Sequence, residues 1–195
     1  MLPLDVQAIR TVLSEAGDPL AGEPHEGAAA VAAILRDGER GAEILFIRRA
    51  QREGDPWSGQ MGLPGGRRDP VDRSLLETAI RETREEIGLD LEARAHLLGR
   101  LDDVEVVPRG VRGQGWIRPF VFALDGPIGE LQLAPREVDE VVWAAVHDLR
   151  SGTLDTTTTW SREGMVMRFP AWDVDGRIVW GLTYRMMQSL IARFG

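Results

Sequence analysis

Apolar side chains recur at three- and four-residue steps in Val6, Ile9, Val12, Leu13 and Ala16, which predicts an amphipathic helix over residues 5–16 with Asp5 as its N-cap. The stretch 18–27, with Pro19, Gly22-Glu23-Pro24 and Gly27, is predicted to link this N-terminal segment (1–17) to the main fold. Ala28 to Leu35 is an unbroken apolar run, short enough for a buried strand, although its alanines leave a helix open. Asp37-Gly38 is a turn pair leading to a second strand, Glu43–Arg48. Residues 49–66 are loop-like, with Gly54-Asp55-Pro56, Ser58-Gly59 and Pro64-Gly65-Gly66. Ser74 to Ile87 is the clearest helix, stopped by Gly88 as a left-handed cap. Strand patterns follow at 95–101, 103–107, 116–124 and 140–143. A hairpin, 166–172 with 177–180, is expected around Asp175-Gly176, then a last helix near 182–194. Mixed strands with few helices indicate an α+β or α/β sandwich.

Composition narrows the chemistry. The 195 residues suit one domain, and 43% apolar with 28% charged residues is ordinary for a globular chain. A net charge of −8 argues against general nucleic-acid binding or an anionic membrane surface, which call for a basic face. Cysteine is absent, which excludes disulfides, thiolate metal sites and thiol nucleophiles. Lysine is absent too, so a Gly-Lys-Ser/Thr phosphate loop and Schiff-base chemistry are excluded. No signal-peptide pattern opens the chain and no apolar run reaches transmembrane length, so a cytoplasmic protein is expected.

The predicted helix 74–87 holds Glu82, Glu85 and Glu86, spaced i, i+3 and i+4 on one face. Carboxylates so close repel one another unless a cation lies among them, and magnesium takes oxygen ligands of this kind. The plainer alternative is a solvated face on which Arg81 and Arg84 relieve the repulsion. Pro64-Gly65-Gly66 just upstream favours a turn whose glycine can present a carbonyl to the same ion.

Gly66 to Leu89 resembles the Nudix box, G-x(5)-E-x(7)-R-E-U-x-E-E-x-G-U. Gly66 matches its first glycine and Arg81-Glu82-Thr83-Arg84-Glu85-Glu86-Ile87-Gly88-Leu89 its end. Asp72 replaces the first glutamate, eight residues instead of seven precede Arg81, and Thr83 takes a usually aliphatic place. Pro64-Gly65-Gly66, Asp69, Asp72, Thr78-Ala79 and Arg81-Glu82 resemble the coenzyme A pyrophosphatase branch, and Gly59 fits its upstream motif. Arg49 and Arg52 fall out of register with the basic part of that motif, and Leu63 replaces its phenylalanine.

The resemblance implies an α/β fold, the Nudix α/β/α sandwich with a mixed sheet, formed by 1–195 as a single domain with its box at 66–89. It implies hydrolysis of a pyrophosphate bond in a nucleoside diphosphate derivative with Mg2+, or Mn2+ as substitute. Coenzyme A is the first candidate substrate; ADP-ribose, nucleotide sugars and noncanonical nucleoside triphosphates are the alternatives. A silent binding module of the same fold usually loses box carboxylates, which are kept here. Glu82 and Glu86 are the implied metal ligands, with Glu85 a third and the Gly66 carbonyl a fourth; Arg81 pairs with a box carboxylate and orients it. The general base comes either from the box (Glu85) or from a later loop, where Glu137 stands before the strand containing Trp143. Arg48 and Arg49, or Arg109 and Arg112 in a glycine-rich loop, can take a substrate phosphate. Trp57 is open to a stacking or a packing role. His25, His96 and His147 lack ligand spacing, and Trp116, Trp143, Trp160, Trp172 and Trp180 are expected mainly in the core. Homodimers are common among such enzymes.

Overall fold

The computed structural model describes residues 4–22, 28–54, 57–106, 115–162 and 164–194. After helix α1 (Val6–Ser14), a mixed sheet is built from β1 (Ala29–Gly38), β2 (Gly41–Arg49), β3 (Met61–Gly62), β4 (Gly65–Arg67), β5 (Ala95–Arg100), β6 (Val104–Val106), β7 (Gly115–Leu124) and β8 (Val138–Ala145). Its spine runs β3-β2-β1-β7-β5, with β4 on β1, β6 on β7 and β8 on β2. β1 and β7 are parallel and the other pairs antiparallel. Helix α2 (Leu75–Ile87) and the short α3 (Leu91–Arg94) precede β5; α4 (Val146–Ser151) follows β8. A second sheet, β11-β10-β9, consists of β9 (Asp155–Arg162), β10 (Met165–Val174) and β11 (Arg177–Trp180), and α5 (Gly181–Ile191) ends in a 3-10 turn.

β1 explains the arrangement. Its even residues Ala30, Ala32 and Ile34 face one apolar cluster with Leu75, Ala79 and Ile87 of α2. Its odd residues Val31, Ala33 and Leu35 face another with Ile9 and Leu13 of α1 and Met186, Met187 and Leu190 of α5. A strand buried on both faces shows no alternation, so the apolar run at 28–35 is ambiguous between strand and helix by pattern alone, and packing makes it a strand. Helices on both sides of one mixed sheet make the α/β/α sandwich. Among the described residues no helix is long and apolar enough to cross a membrane.

α2 begins at Ser74, whose hydroxyl accepts from the Glu77 amide at 3.2 Å. It stops at Gly88 (φ +71°), whose amide donates to the Arg84 carbonyl. Asp175 and Gly176 both have positive φ, as a two-residue hairpin turn requires. The first hairpin differs from expectation by two residues: β1 runs through Asp37-Gly38 and turns at 39–40. β3 and all but the last residue of β4 lie inside the segment 49–66 expected to be loop. β9 is a strand without a predicting pattern, because Thr156–Thr159 show no apolar alternation, yet β-branched threonine suits a strand.

The tryptophans correct an expectation. Only Trp172 is fully buried, its ring centroid 4.3 Å from that of Tyr184 and its Nε1 donating to Asp155. Trp116, Trp143, Trp160 and Trp180 are half-buried. Trp116 and Trp143 pack on the margin of the α2-side cluster, and the Trp143 ring also supports the Arg36 guanidinium 3.9 Å from its centroid. Trp172→Ala is therefore expected to cost about 3–5 kcal/mol in urea unfolding, and Trp160→Ala much less. Equal losses would mean that Trp172 does not anchor the small sheet.

Candidate active site

The segment Pro64 to Arg67 lies against the start of β1. Gly66 is opposite Ala30 and Gly65 opposite Val31, with the Ala32 amide donating to the Pro64 carbonyl. Gly65 has φ +148°, and a Cβ there would land on the Ala30 carbonyl and within 2.6 Å of Val31 Cα. Only glycine fits. At Gly66 a Cβ would sit 2.5 Å from the Glu82 carboxyl carbon, so that carboxylate occupies the space a side chain would fill. One helical turn on, Glu86 is 2% exposed and its Oε2 accepts from the Gly65 amide at 2.8 Å. Two box carboxylates thus rest on one glycine turn.

Both are held in unfavourable electrostatics. Burial pushes the Glu86 carboxyl up to about 8, with the charges of Glu82 and Glu137 adding and the Gly65 amide and Arg49 opposing. Burial also raises Glu82, and Glu85 and Glu137 add to that, while Arg81 opposes it. Glu85 is exposed and turned to Arg81 Nη1, 3.0 Å away. Among the described residues, no three acidic or histidine side chains close around a single ion position. The available set is two pinned carboxylates, a glycine backbone and a third carboxylate on the rim.

Arg81 organises the cluster. Its Nε and Nη2 donate to both oxygens of Asp72 at 3.0 Å, and its Nη1 donates to Glu82 and Glu85 at 2.9 and 3.0 Å. Asp72 is buried and also accepts from the Asp69 amide and the Thr78 hydroxyl, each at 2.9 Å. The Arg81 guanidinium above all holds its carboxyl down at about 2, against the effect of burial. This accounts for the two departures around the first acid: the loop before Ser74 absorbs the extra residue, and the shorter side chain still reaches Arg81 bidentately. Thr83, at the usually aliphatic place, is fully buried and donates its hydroxyl to the Ala79 carbonyl at 2.7 Å, so no polar atom is stranded.

Glu137 comes to the same place from a distant part of the chain. Residues 132–138 are fastened to the end of α2 by Gln132 and Ala134 amides donating to the Ile87 and Glu86 carbonyls. The Glu137 carbonyl accepts from the Ala50 amide at 2.9 Å, directly after Arg49. This brings the exposed Glu137 close enough for its charge to raise the carboxyls of Glu82 and Glu86, and Arg49 close enough to oppose the rise at Glu86. Arg48 does not join them: its Nε lies 3.2 Å from Glu140, which also binds Arg177 bidentately. Arg109 and Arg112 lie outside the described residues. Trp57 is 45% exposed, which removes it from the core. The sequence leaves open which box carboxylate Arg81 takes; the separation of Asp72 from Arg81 by a loop and two helical turns gives no local signal that Asp72 is its bidentate partner.

The NUDIX domain model matches residues 26–169, most of the chain and the whole of the site just described. This chain belongs to the Nudix family. Mouse mitochondrial coenzyme A diphosphatase NUDT8 is 34% identical over 139 residues, covering 70% of this Nudix chain and 62% of that protein. The human NUDT8 protein is 32% identical over 149 residues, with 72% and 58% covered. An uncharacterized protein, C14C4.10c of Schizosaccharomyces pombe, is 40% identical over 108 residues, 54% of this chain and 32% of that one. The chain thus spans between a third and three fifths of the length of these relatives. A NUDIX hydrolase from Alicyclobacillus acidocaldarius has the same fold, with TM-score 0.55 and 19% identity over 88% of this chain and 93% of the other. An Ap4A hydrolase of C. elegans aligns with TM-score 0.52 and 21% identity over 64% and 84%.

The raised Glu86 makes a test of the Nudix site without any substrate. A carboxyl that binds its proton more tightly when folded stabilises the fold fully below its unfolded value near 4.5, and this is lost as pH rises to about 8. In EDTA, the melting temperature of the wild type is expected to fall between pH 5 and pH 8 more steeply than that of Glu86→Gln. Asp72 titrates near 2 and adds no slope in this window. Parallel profiles for the two proteins would show that Glu86 is not buried against the glycine turn.

Proposed function

We propose that this Nudix chain, as one hydrolase domain, cleaves the pyrophosphate bond of a nucleoside diphosphate derivative. Coenzyme A is the leading substrate, giving 3′,5′-ADP and 4′-phosphopantetheine. The observation that carries the reading is the pair Glu82 and Glu86 pinned on the Gly65-Gly66 turn. Arg81, whose Nη1 donates to Glu82, is also engaged bidentately by Asp72.

A divalent cation fits this donor set. A side chain at 66 would have to displace the Glu82 carboxylate, and burial holds Glu86 back from ionising, a cost that a bound cation offsets. Glu82 and Glu86 would hold Mg2+ or Mn2+, with Glu85 and the Gly66 carbonyl as further oxygen ligands. Bound there, the ion would screen the diphosphate and lower the pKa of the attacking water. Arg81 keeps Glu82 and Glu85 in place through its grip on Asp72, so Asp72 and Arg81 act by positioning. Glu137, exposed and close enough for its charge to act on both carboxyls, is suited to take the proton from water; Glu85 is the alternative base. Arg49, at the end of β2 beside Glu86, is suited to a substrate phosphate. The substrate choice is supported by the Pro64–Glu82 motif and by the coenzyme A diphosphatase activity for which the NUDT8 relatives are named.

Purified protein with Mg2+ is expected to convert coenzyme A to the two named products, with turnover abolished by EDTA. Glu86→Gln should lower kcat at least about 100-fold, and Asp72→Asn about 10- to 100-fold. Faster turnover of ADP-ribose than of coenzyme A would replace the substrate while leaving the site intact. Activity unchanged in EDTA and in Glu86→Gln would overturn the mechanism.

A separate expectation concerns the base. Glu137→Gln should lower kcat while leaving KM nearly unchanged, since the side chain lies on the site's rim and is not pinned to the glycine turn. A comparable loss from Glu85→Gln, with Glu137→Gln near wild type, would transfer the role to the box.

A further inference from the structure

Of the six tryptophans, Trp57 alone is exposed, and it stands on the connection between β2 and β3. Trp57 to Gln60 form a turn in which the Gln60 amide donates to the Trp57 carbonyl at 3.2 Å. Gly59, third in that turn, has φ +70°, and a Cβ there would collide with the Gln51 side-chain amide. The Ser58 hydroxyl braces the same segment, accepting from the Arg52 amide at 2.7 Å and donating to Gln51 Oε1 at 3.1 Å. A connection held in this way loses little further freedom when its aromatic ring takes a partner.

One more bond joins the turn to the site. The Gln60 carbonyl accepts from the Arg49 amide at 3.0 Å, and the next amide, Ala50, donates to the Glu137 carbonyl. The ends of a turn lie within about 7 Å and hydrogen-bonded residues on antiparallel strands about 5.5 Å apart, so the Trp57 and Arg49 Cα atoms are within roughly 12 Å of each other. Arg49 in turn is close enough to Glu86 for its charge to act there. A nucleotide with its diphosphate at the glycine turn and its base on the indole fits this span.

We infer that the Trp57 ring is the platform on which the nucleobase of the substrate stacks, adenine where the substrate is coenzyme A. This rests on the reading of the chain as a hydrolase of nucleoside diphosphate derivatives. Charge favours such a contact. The chain carries −8, Arg81 is engaged by Asp72 and Glu82, and Arg48 lies against Glu140. An indole face binds a base without drawing a carboxylate of the protein to itself, as an added arginine would. Among the described residues the other exposed large apolar side chains, Leu20, Val71, Met165 and Val166, carry no ring. Trp57 therefore sets the affinity for the base-bearing half of the substrate and leaves the diphosphate chemistry to the box.

Calorimetric titration in Mg2+ compares 3′,5′-ADP, which carries the base, with 4′-phosphopantetheine, which does not. Trp57→Ala should weaken 3′,5′-ADP about 5- to 100-fold, leave 4′-phosphopantetheine unchanged, and raise KM for coenzyme A with kcat nearly unchanged. Trp57→Phe, which keeps a ring, should recover most of the affinity, and 3′,5′-ADP should quench its fluorescence less than that of the wild type. Where ADP-ribose is the faster substrate, AMP and ribose 5-phosphate take the places of the two products. Unchanged affinity for the base-bearing product in Trp57→Ala, or equal weakening of both products, would overturn the stacking role while wild-type turnover upholds the reading beneath it. A wild type that neither binds the base-bearing products nor hydrolyses either substrate would overturn both.

Discussion

The approach of α2 to the first turn of β4 is the constraint on which the site depends. It is possible because residues 65 and 66 lack side chains. At Gly65 the backbone must lie flat on Ala30 and Val31, and at Gly66 the space of a Cβ belongs to Glu82. The alanines of β1 serve the same end from beneath: Ala30 and Ala32 lie against Leu75, Ala79 and Ile87, so the helix sits close to the sheet. Small residues on the strand and glycines at the turn therefore set one distance, and that distance decides where the box carboxylates stand.

Electrostatics then runs against packing. Two carboxylates held close on one turn raise the cost of ionising either, and Glu86 meets it by keeping its proton up to about pH 8. Burying one of them adds a desolvation cost. Apolar burial of α2 across the sheet outweighs both, at about 1.5–3 kcal/mol for each fully buried side chain such as Leu75 or Ile87. The helix stays docked and the carboxylates absorb the strain, which is why Glu86 rises so far while Asp72, gripped by Arg81, falls. The opposite shifts have different leading causes, burial at Glu86 and the Arg81 guanidinium at Asp72.

Much of this was legible in the sequence, and the reasons it was are physical. Helical periodicity and the Gly88 stop located α2, and the i, i+3, i+4 spacing put Glu82, Glu85 and Glu86 on one face. The turn at Pro64–Gly66 was legible because glycine and proline punctuate the backbone. What escaped were relations between distant segments. Neither the fastening of residues 132–138 to the end of α2 nor the turning of Arg48 toward Glu140 leaves a local pattern. The half-buried tryptophans misled for a related reason: a large ring is apolar in composition, but a sheet margin can leave one face open, as at Trp143 under Arg36. β9 was hidden because threonine satisfies a strand without alternating in hydrophobicity.

The same opposition of packing and charge bears on how an anionic protein receives an anionic ligand. Arg81 links the members of the cluster, but its five donors are directed at Asp72, Glu82, Glu85 and the Arg67 carbonyl, so its charge is largely cancelled there. Arg49 reaches Glu86 from the side. The balance at the turn stays negative, and a diphosphate brought to it unaccompanied would be repelled. A divalent cation reverses the sign at the one point where two carboxylates already lie against backbone, and it does so without moving the helix. The glycine turn, the buried Glu86 and the Asp72–Arg81 tie therefore form a single arrangement: the packing fixes the negative charge in place, and the cation makes that charge useful.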